Sequence, residues 1–360
     1  MKKNIILIFM LTIIPYGLCI LFSLFSDKIR IGQGNNNIES HRLNKDVLIE
    51  IDGLYKSMDV EEYILGVLPG TIPADYDEET LKVQAILIRT NVLKEMEEKG
   101  TADASDLSYE YLTVEERRVV FGKRNYERYN KRFENAVVET SGQVLRQEGS
   151  LIMALYHEVS IGKTMSAKEI LGEDIAYLQS VDSSQDVEAK HYMNIVNYTW
   201  EELQMLSRNM KGEPETTFEE GAEEKQEEIS ENAPNQGEGA TAQSNETEEN
   251  DTPEKQPTGE SLVRTEIKVE ESTENGYVTK VSVDGIIYTG EELANGFNLA
   301  STNFYVEEIE GGLRFVCLGK GNALGVSQYG ANRMALNGKD MEEIIKHYLQ
   351  KVSIEEYRNN

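Results

Sequence analysis

One stretch of the chain lacks the apolar residues that folding requires, and it divides the rest into two parts. Between Lys211 and Glu260 there are 16 Asp and Glu residues against three lysines, and only two large apolar side chains. Burial of so little apolar surface cannot offset the conformational entropy that is lost on ordering. We therefore predict a disordered acidic insertion over residues 211–262, between two foldable parts at residues 46–210 and 263–356.

The N-terminus carries a long apolar run. After "MKK", the uncharged segment from Asn4 to Phe25 has 22 residues. At about 1.5 Å per residue it reaches roughly 33 Å, enough to cross a bilayer core of about 30 Å. The two lysines before it favour a cytoplasmic N-terminus. We predict an anchor over residues 1–26 and a polar stalk over 27–45, with the rest extracytoplasmic in a single-pass protein of the cell membrane. A cleaved signal peptide and lipidation at Cys19 are the alternatives.

Charge and cysteine content bear on partners and cofactors. The net charge is −28, and nucleic-acid binding needs clustered Lys and Arg, so no nucleic-acid partner is expected. Cys19 and Cys317 are too unlike in setting to form a disulfide, and the four histidines are not in zinc-ligand spacing. We expect no metal and no cofactor. Cys317 lies in the apolar run "LRFVCL" and is predicted to be a buried structural thiol.

The clearest helix lies between Glu78 and Gly100. Asp75 or Asp77 can cap its first turn, and Gly100 provides a stop. Arg89 lies on a different face, where we expect either a structural ion pair or the binding of a ligand's carboxylate or amide oxygen. The predicted buried face has helical spacing and consists of Leu81, Ala85, Ile88 and Val92.

The remaining segments predict strands and helices in mixed order. No βαβ repeat is present, so we predict an α+β fold with one domain that is interrupted by the insertion. The predicted elements are a strand that ends at the Asp52-Gly53 turn, more helix over 101–136, one or two hairpins over 136–164, a helix over 200–211, two strands around the Asn275-Gly276 turn, and a strand followed by a Gly-rich loop and two helices.

Three separated motifs resemble those of a known family. The first is "YILGV", "IPA" and "LKVQAILIRT" from Tyr63; the second is "ALYHEVSIGKTMSA" with "AYLQSVDSSQD" from Ala154; the third is "GKGNALGVSQYGANRMALNGKDMEEIIKHYL" from Gly319. In this order they resemble the signatures of the stage II sporulation protein D (SpoIID) and LytB amidase-enhancer family. The resemblance covers roughly residues 48 to 354, apart from the insertion.

The resemblance implies work on peptidoglycan. Members of the family look like lytic transglycosylases that trim glycan strands stripped of their peptides during engulfment. One carboxyl group protonates the glycosidic oxygen and then accepts the proton of the sugar's C6 hydroxyl, which closes an anhydro ring. In the family pattern a Glu stands two residues before the Pro of the first motif, where this chain has Thr71. The His of the third motif aligns with Asn322.

These replacements give competing hypotheses. A threonine hydroxyl does not exchange protons usefully at neutral pH, and loss of a general acid costs about 10²–10⁴ in rate. We therefore expect glycan binding with impaired or lost lytic activity, in a protein that assists a cell-wall amidase or an engulfment complex. The alternatives are an active enzyme with a relocated acid, for which Glu158 is the candidate, and an anchored structural domain without glycan affinity.

The candidate glycan contacts come from the polar residues of the three motifs. Structural explanations are an ion pair for the arginine and a satisfied structural position for the histidine. The glycine in the loop with Ser160 and Thr164 can simply allow the turn. The residues are Arg89, His157, Ser160, Thr164, Asn322, Ser327 and Gln328.

Overall fold

The structure is a computed structural model that describes residues 36–212 and 264–358. The predicted anchor lies outside these residues, as does nearly all of the predicted acidic insertion. Within the described ranges, no helix is long and apolar enough to cross a membrane. Helices and strands are mixed along the chain, as the sequence predicts.

Nine helices and one short 3₁₀ helix lie in the described residues. In chain order they are α1 (Asn36–Glu39), α2 (Val60–Thr71), α3 (Glu78–Lys99), α4 (Val114–Glu139), α5 (Ala167–Ile170), the 3₁₀ helix (Ser184–Glu188), α6 (Trp200–Lys211), α7 (Gly290–Gly296), α8 (Gln328–Leu336) and α9 (Met341–Tyr348).

The strands of the same residues form small sheets. They are β1 (Asp46–Ile51), β2 (Leu54–Asp59), β3 (Ala102–Asp103), β4 (Gln143–Gln147), β5 (Ser150–Leu151), β6 (Tyr156–His157), β7 (Met193–Thr199), β8 (Ile267–Ser272), β9 (Val278–Val283), β10 (Ile286–Thr289), β11 (Phe304–Ile309), β12 (Gly312–Leu318), β13 (Val326–Ser327) and β14 (Ser353–Glu356). The sheet orders are β2-β1-β3, β10-β9-β8, β11-β12-β7, β13-β6 and β14-β4-β5. The β1–β3 and β6–β13 pairs are parallel, and the other pairs are antiparallel.

Several predicted elements are confirmed. The Asp52-Gly53 turn joins β1 to β2, and strands β8 and β9 flank Asn275-Gly276. The helix predicted over 200–211 is α6. The prediction at 136–164 is right only for the short β4–β5 hairpin, because α4 continues to Glu139.

Helix α3 is the centre of the main core. Its bounds agree with the prediction, because Asp77 Oδ1 accepts a hydrogen bond from Glu79 N at 3.0 Å and Gly100 ends it with φ 81°. The prediction of a single buried face is incomplete. One side packs with α2 and α4 through residues that include Leu81 and Ile88, and the opposite side packs with α8 and α9 through residues that include Leu87. A helix that is apolar on both sides is typical of a buried position.

A second core holds the smaller part of the fold together. Phe315 of β12 packs against Phe297, which follows α7, and against Leu203 of α6. Cys317 lies in the same core and is fully buried, which confirms the predicted structural thiol. Burial raises the pKa of the Cys317 thiol above its usual value, so the thiol stays protonated near neutral pH.

A buried ion pair connects α2 and α3. Arg89 Nε and Nη2 donate to the two oxygens of Glu61 at 2.9 and 2.7 Å, and neither side chain is exposed. The backbone N–H of Gly142 donates to Glu61 Oε1 at 3.0 Å, and Arg89 Nη1 donates to the carbonyl of Gln143 at 3.2 Å. The structural ion pair that the sequence analysis offered for Arg89 is therefore present, and it also fixes the turn that leads into β4.

We expect Arg89→Met to destabilise the protein by about 3–5 kcal/mol, because it leaves the Glu61 charge buried without its partner. Urea unfolding of the full-length chain, followed by circular dichroism, measures the change. Lys346→Gln is the control: it breaks an exposed pair with Glu342 and should leave the midpoint unchanged. An unchanged midpoint for Arg89→Met would contradict the structural role of the pair.

His157 in β6 is a second buried ionisable residue. Its Nδ1 lies 3.0 Å from the carbonyl oxygen of Leu324, and only 3% of the residue is exposed. Burial holds the pKa of the His157 ring below its usual value, because the charged form loses its hydration. The folded protein therefore contains the neutral ring under conditions in which the unfolded chain already binds a proton.

This difference predicts acid sensitivity. The pKa of His157 in the folded state lies below the unfolded value of about 6.5, so stability falls as the pH drops below that value, by at most about 1.4 kcal/mol per pH unit. Unfolding midpoints between pH 5 and pH 8 should show this slope, and His157→Gln should reduce it. The exposed His191, replaced by Gln, is the matched control. Equal slopes for wild type and His157→Gln would refute the assignment.

Candidate functional site

A cleft of about 460 Å³ opens where the end of α2, residues 108–110, β6 and the Gly-rich loop meet. Four residues singled out in the sequence lie in its walls: Thr71, His157, Glu158 and Gln328. They come from three segments that are far apart in the chain. The fold therefore brings parts of all three motifs to one concave surface.

Thr71 forms one wall, and its polar groups are engaged. It is the last residue of α2, and its Oγ1 donates to the carbonyl of Leu68 at 3.0 Å. Gln328 Nε2 donates to the carbonyl oxygen of Thr71 at 2.8 Å and to Gln84 Oε1 at 3.1 Å. The start of α8 is thus tied to the end of α2 and to a residue within α3. The Thr71 hydroxyl offers no proton-exchange chemistry of its own.

The Gly-rich loop packs on β6 through its glycines. Gly321 has φ 99°, and a Cβ there would lie 2.8 Å from the Cβ of His157. Gly325 has φ 71°, and a Cβ there would lie 2.0 Å from the carbonyl oxygen of Leu155. Both positions need the left-handed backbone and the missing side chain of glycine. The loop therefore closes directly over the strand that carries His157.

His157 and Glu158 form the opposite wall and differ in their partners. Among the described residues, the buried Nε2 of His157 has no hydrogen-bond partner. The side chain of Glu158 is 28% exposed, and its Oε2 lies 2.6 Å from Lys320 Nζ. The wall thus contains an ion pair and a histidine whose buried Nε2 is left without a partner in the described part of the chain.

The third wall was not predicted. Residues 108–110 contribute Tyr109 and Glu110, and Tyr156 and Lys320 are further unpredicted members of the cleft. The sequence signal for this wall is the pair Gly66 and Gly70, four residues apart on α2. Two glycines at this spacing indicate that another segment packs closely on that face of the helix, but they do not identify the segment.

The two tyrosines add neutral donors to the cleft. Burial raises the pKa of Tyr109 to about 12 and that of Tyr156 well above its usual value. Both phenols are therefore protonated near neutral pH. Aromatic rings together with uncharged hydrogen-bonding groups are typical of pockets that bind polar organic ligands.

Three other candidates lie beneath the cleft rather than in its walls. Ser160 and Ser327 are fully buried, and Asp186 Oδ2 accepts from Ser160 N and from Ser327 Oγ, each at 2.7 Å. Thr164 is also buried, and its Oγ1 accepts from Val181 N at 2.9 Å. These residues join the second and third motifs, and Asp186 is the central acceptor that the sequence analysis missed.

The last two candidates are also engaged within the protein. Asn322 Oδ1 accepts from the backbone N–H of Leu324 at 3.0 Å, which shapes the Gly-rich loop. Arg89 is enclosed in the core with Glu61, so a ligand in the cleft does not reach its guanidinium. Within residues 36–212 and 264–358, no three or more His, Cys, Asp or Glu side chains are grouped to hold a metal ion.

Comparison with known proteins shows what this chain is similar to. Residues 53–146, which include α2, α3 and Glu110, match the SpoIID family model, described as a stage II sporulation protein. Stage II sporulation protein D of Bacillus amyloliquefaciens is 26% identical over 310 residues, which cover 84% of this chain and 75% of the relative. The protein of the same name from Bacillus subtilis (strain 168) is 25% identical over 84% of this chain and 76% of its own length.

A shorter match points to a second kind of relative. The amidase enhancer of Bacillus subtilis (strain 168) is 28% identical over 121 residues, which cover 34% of this chain and 15% of that protein. The predicted resemblance to the SpoIID and amidase-enhancer family is therefore confirmed. The chain carries a SpoIID domain at residues 53–146, and its similarity to stage II sporulation protein D continues over most of its length.

Proposed function

We propose that this is a cell-wall protein of sporulation that binds peptidoglycan glycan strands in its cleft, with lytic transglycosylase activity far below that of an enzyme with Glu in place of Thr71. The observation that carries the proposal is the position of Thr71, at the end of α2 and in the cleft wall. A cleft with a hydroxyl at the expected proton-transfer position favours binding over rapid cleavage.

The character of the cleft supports an uncharged saccharide as its ligand. Tyr109, Tyr156 and His157 offer neutral rings and hydrogen-bonding groups, and Glu158 and Lys320 pair with each other. Glu110 adds one carboxyl group that has no ion-pair partner among the described residues. A glycan stripped of its peptides presents hydroxyls, ring oxygens and amides. Such a ligand needs donors, acceptors and flat apolar surfaces rather than a strong opposite charge.

Location and partner follow from other features. The apolar segment from Asn4 to Phe25 supports an anchor in the cell membrane, with the folded part on the extracytoplasmic side. The match to an amidase enhancer favours a second role, in which the bound protein stimulates a cell-wall amidase. The acidic stretch between Lys211 and Glu260 can act as a spacer or docking arm for proteins of an engulfment complex.

Binding is tested with a variant that fills the cleft. Ser108 is exposed and lies in the cleft wall, so Ser108→Trp should block entry without removing a core contact. We expect the full-length chain to co-sediment with denuded glycan strands and Ser108→Trp to bind at least about tenfold more weakly, a loss of about 1.4 kcal/mol. Ser150→Trp, at an exposed hairpin position, should bind as wild type does. Equal binding by both tryptophan variants would remove the cleft from the proposal.

Catalysis is tested at residue 71. Thr71→Glu should raise the release of anhydro-ended sugars from denuded strands by about 10²–10⁴, because it restores a carboxyl group in the cleft wall. Mass spectrometry of the products gives the rates. Thr71→Gln has the same size without an acidic proton and should stay at the wild-type rate. A Thr71→Glu rate equal to that of Thr71→Gln would show that the groove is not shaped for this reaction.

A further inference from the structure

Glu110 is the second carboxyl group in the cleft, and it lies beside Thr71 in the fold. It lines the cleft together with Gly70 and Thr71. Its Oε2 is 3.7 Å from the point that a Cβ on Gly70 would occupy, and Gly70 is the residue before Thr71. A carboxyl group from a separate segment thus reaches the end of α2. This is the place where the resemblance predicts the catalytic Glu.

The position of Glu110 is fixed by the packing of its segment on α2. The segment 108–112 lies along α2, and Leu112 N donates to the carbonyl of Gly66 at 2.9 Å. A Cβ on Gly66 would lie 2.0 Å from the ring of Tyr111, so only glycine permits this approach. The Tyr111 ring also stacks on Tyr63 of α2 with centroids 5.9 Å apart. These contacts, made by the two residues that follow Glu110, hold its backbone against the helix.

The two acidic side chains of the cleft differ in their partners. Glu158 is engaged by Lys320 Nζ at 2.6 Å. In the part of the chain that the structure describes, no basic side chain forms an ion pair with Glu110. Of the two groups, Glu110 is the one whose oxygens are available to a ligand.

An independent feature indicates that a polar ligand belongs at this place. The Nε2 of His157 is fully buried in the opposite wall, and among the described residues it has no hydrogen-bond partner. A buried polar atom without a partner costs free energy, and a ligand that displaces the atoms covering it could supply the missing hydrogen bond. The cleft therefore has a neutral contact on one side and an available carboxyl group on the other.

We infer that Glu110 is the catalytic carboxyl group of the slow glycan cleavage that remains in this protein, an inference that rests on the proposed glycan binding. The protonated carboxyl gives its proton to the glycosidic oxygen as the bond from C1 to that oxygen breaks. The sugar's own C6 oxygen then bonds to C1, and its hydroxyl proton passes to the Glu110 carboxylate. The cycle returns the acid without water or a cofactor. It yields one strand that ends in an anhydro sugar and one strand whose new non-reducing end carries the released hydroxyl.

The test compares matched variants of the full-length chain on denuded glycan strands. Glu110→Gln should lower the release of anhydro-ended sugars by at least about 10²-fold while the strands still bind, because the amide keeps the size and loses the proton. Glu342→Gln, at an exposed position outside the cleft, is the control and should stay within about threefold of wild type. Glu158→Gln tests the rival carboxyl group of the cleft and should lose less activity than Glu110→Gln. In the Thr71→Glu background, Glu110→Gln should cost less than about tenfold, since the new carboxyl group takes over the proton transfer.

The outcomes separate the inference from the proposed function. Release by Glu110→Gln at the wild-type rate overturns the inference, and so does a larger loss in Glu158→Gln than in Glu110→Gln. A wild-type chain that binds strands but releases no anhydro-ended sugar above a protein-free blank also overturns it and leaves the binding proposal standing. A wild-type chain that does not bind strands removes the proposed function itself.

Discussion

The fold around the cleft depends on the Glu61–Arg89 ion pair. An unpaired charge in such a setting would be strongly destabilising, so the pair has to be complete. The geometry meets this condition: both Glu61 oxygens accept from the guanidinium, and the remaining capacity is used by backbone groups before β4. The interaction fixes α2 against α3. It thereby also sets the position of the end of α2 that faces the cleft.

Close backbone contacts then shape the cleft itself. Gly66 and Gly70 let residues 108–112 lie on α2, while Gly321 and Gly325 let the loop before α8 lie on β6. In each case a methyl group would meet its neighbour at or below 3.0 Å. The walls of the cleft are therefore held by backbone packing, which leaves the side chains between them free to vary in chemistry. A threonine at position 71 is compatible with an intact framework for this reason.

The sequence predicted what local patterns determine. The bounds of α3 follow from Asp77 and Gly100, and the turns at Asp52-Gly53 and Asn275-Gly276 follow from backbone preferences. It did not predict that α3 is buried on two sides. The second face is buried only when α8 and α9, which come much later in the chain, pack against it. The partner of Arg89 lies 28 residues away, which helical spacing does not encode.

The candidate site was predictable to a similar degree. Motif residues Thr71, His157, Glu158 and Gln328 do meet in one cleft. Three equally polar candidates, Ser160, Thr164 and Ser327, instead bond to the buried Asp186 or to the adjacent turn. No local sequence pattern distinguishes residues that line the cleft from residues that are buried beside it. Glu110 was missed because nothing in its own neighbourhood marks it; its place depends on a docking contact with a helix some forty residues earlier.

The order of strand pairing has a consequence for biosynthesis. Strand β7 pairs with β12, β6 with β13 and β4 with β14, so each of these sheets joins sequence from before and after residues 213–263. A nascent chain cannot form the first two pairs until Gly312–Leu318 and Val326–Ser327 have been made, and the third pair requires Ser353–Glu356. Such distant pairing slows acquisition of the native state and leaves strand edges open in the meantime. Because these sheets contain strands from both parts of the chain, a single protease cut between residues 213 and 263 would leave the two parts associated.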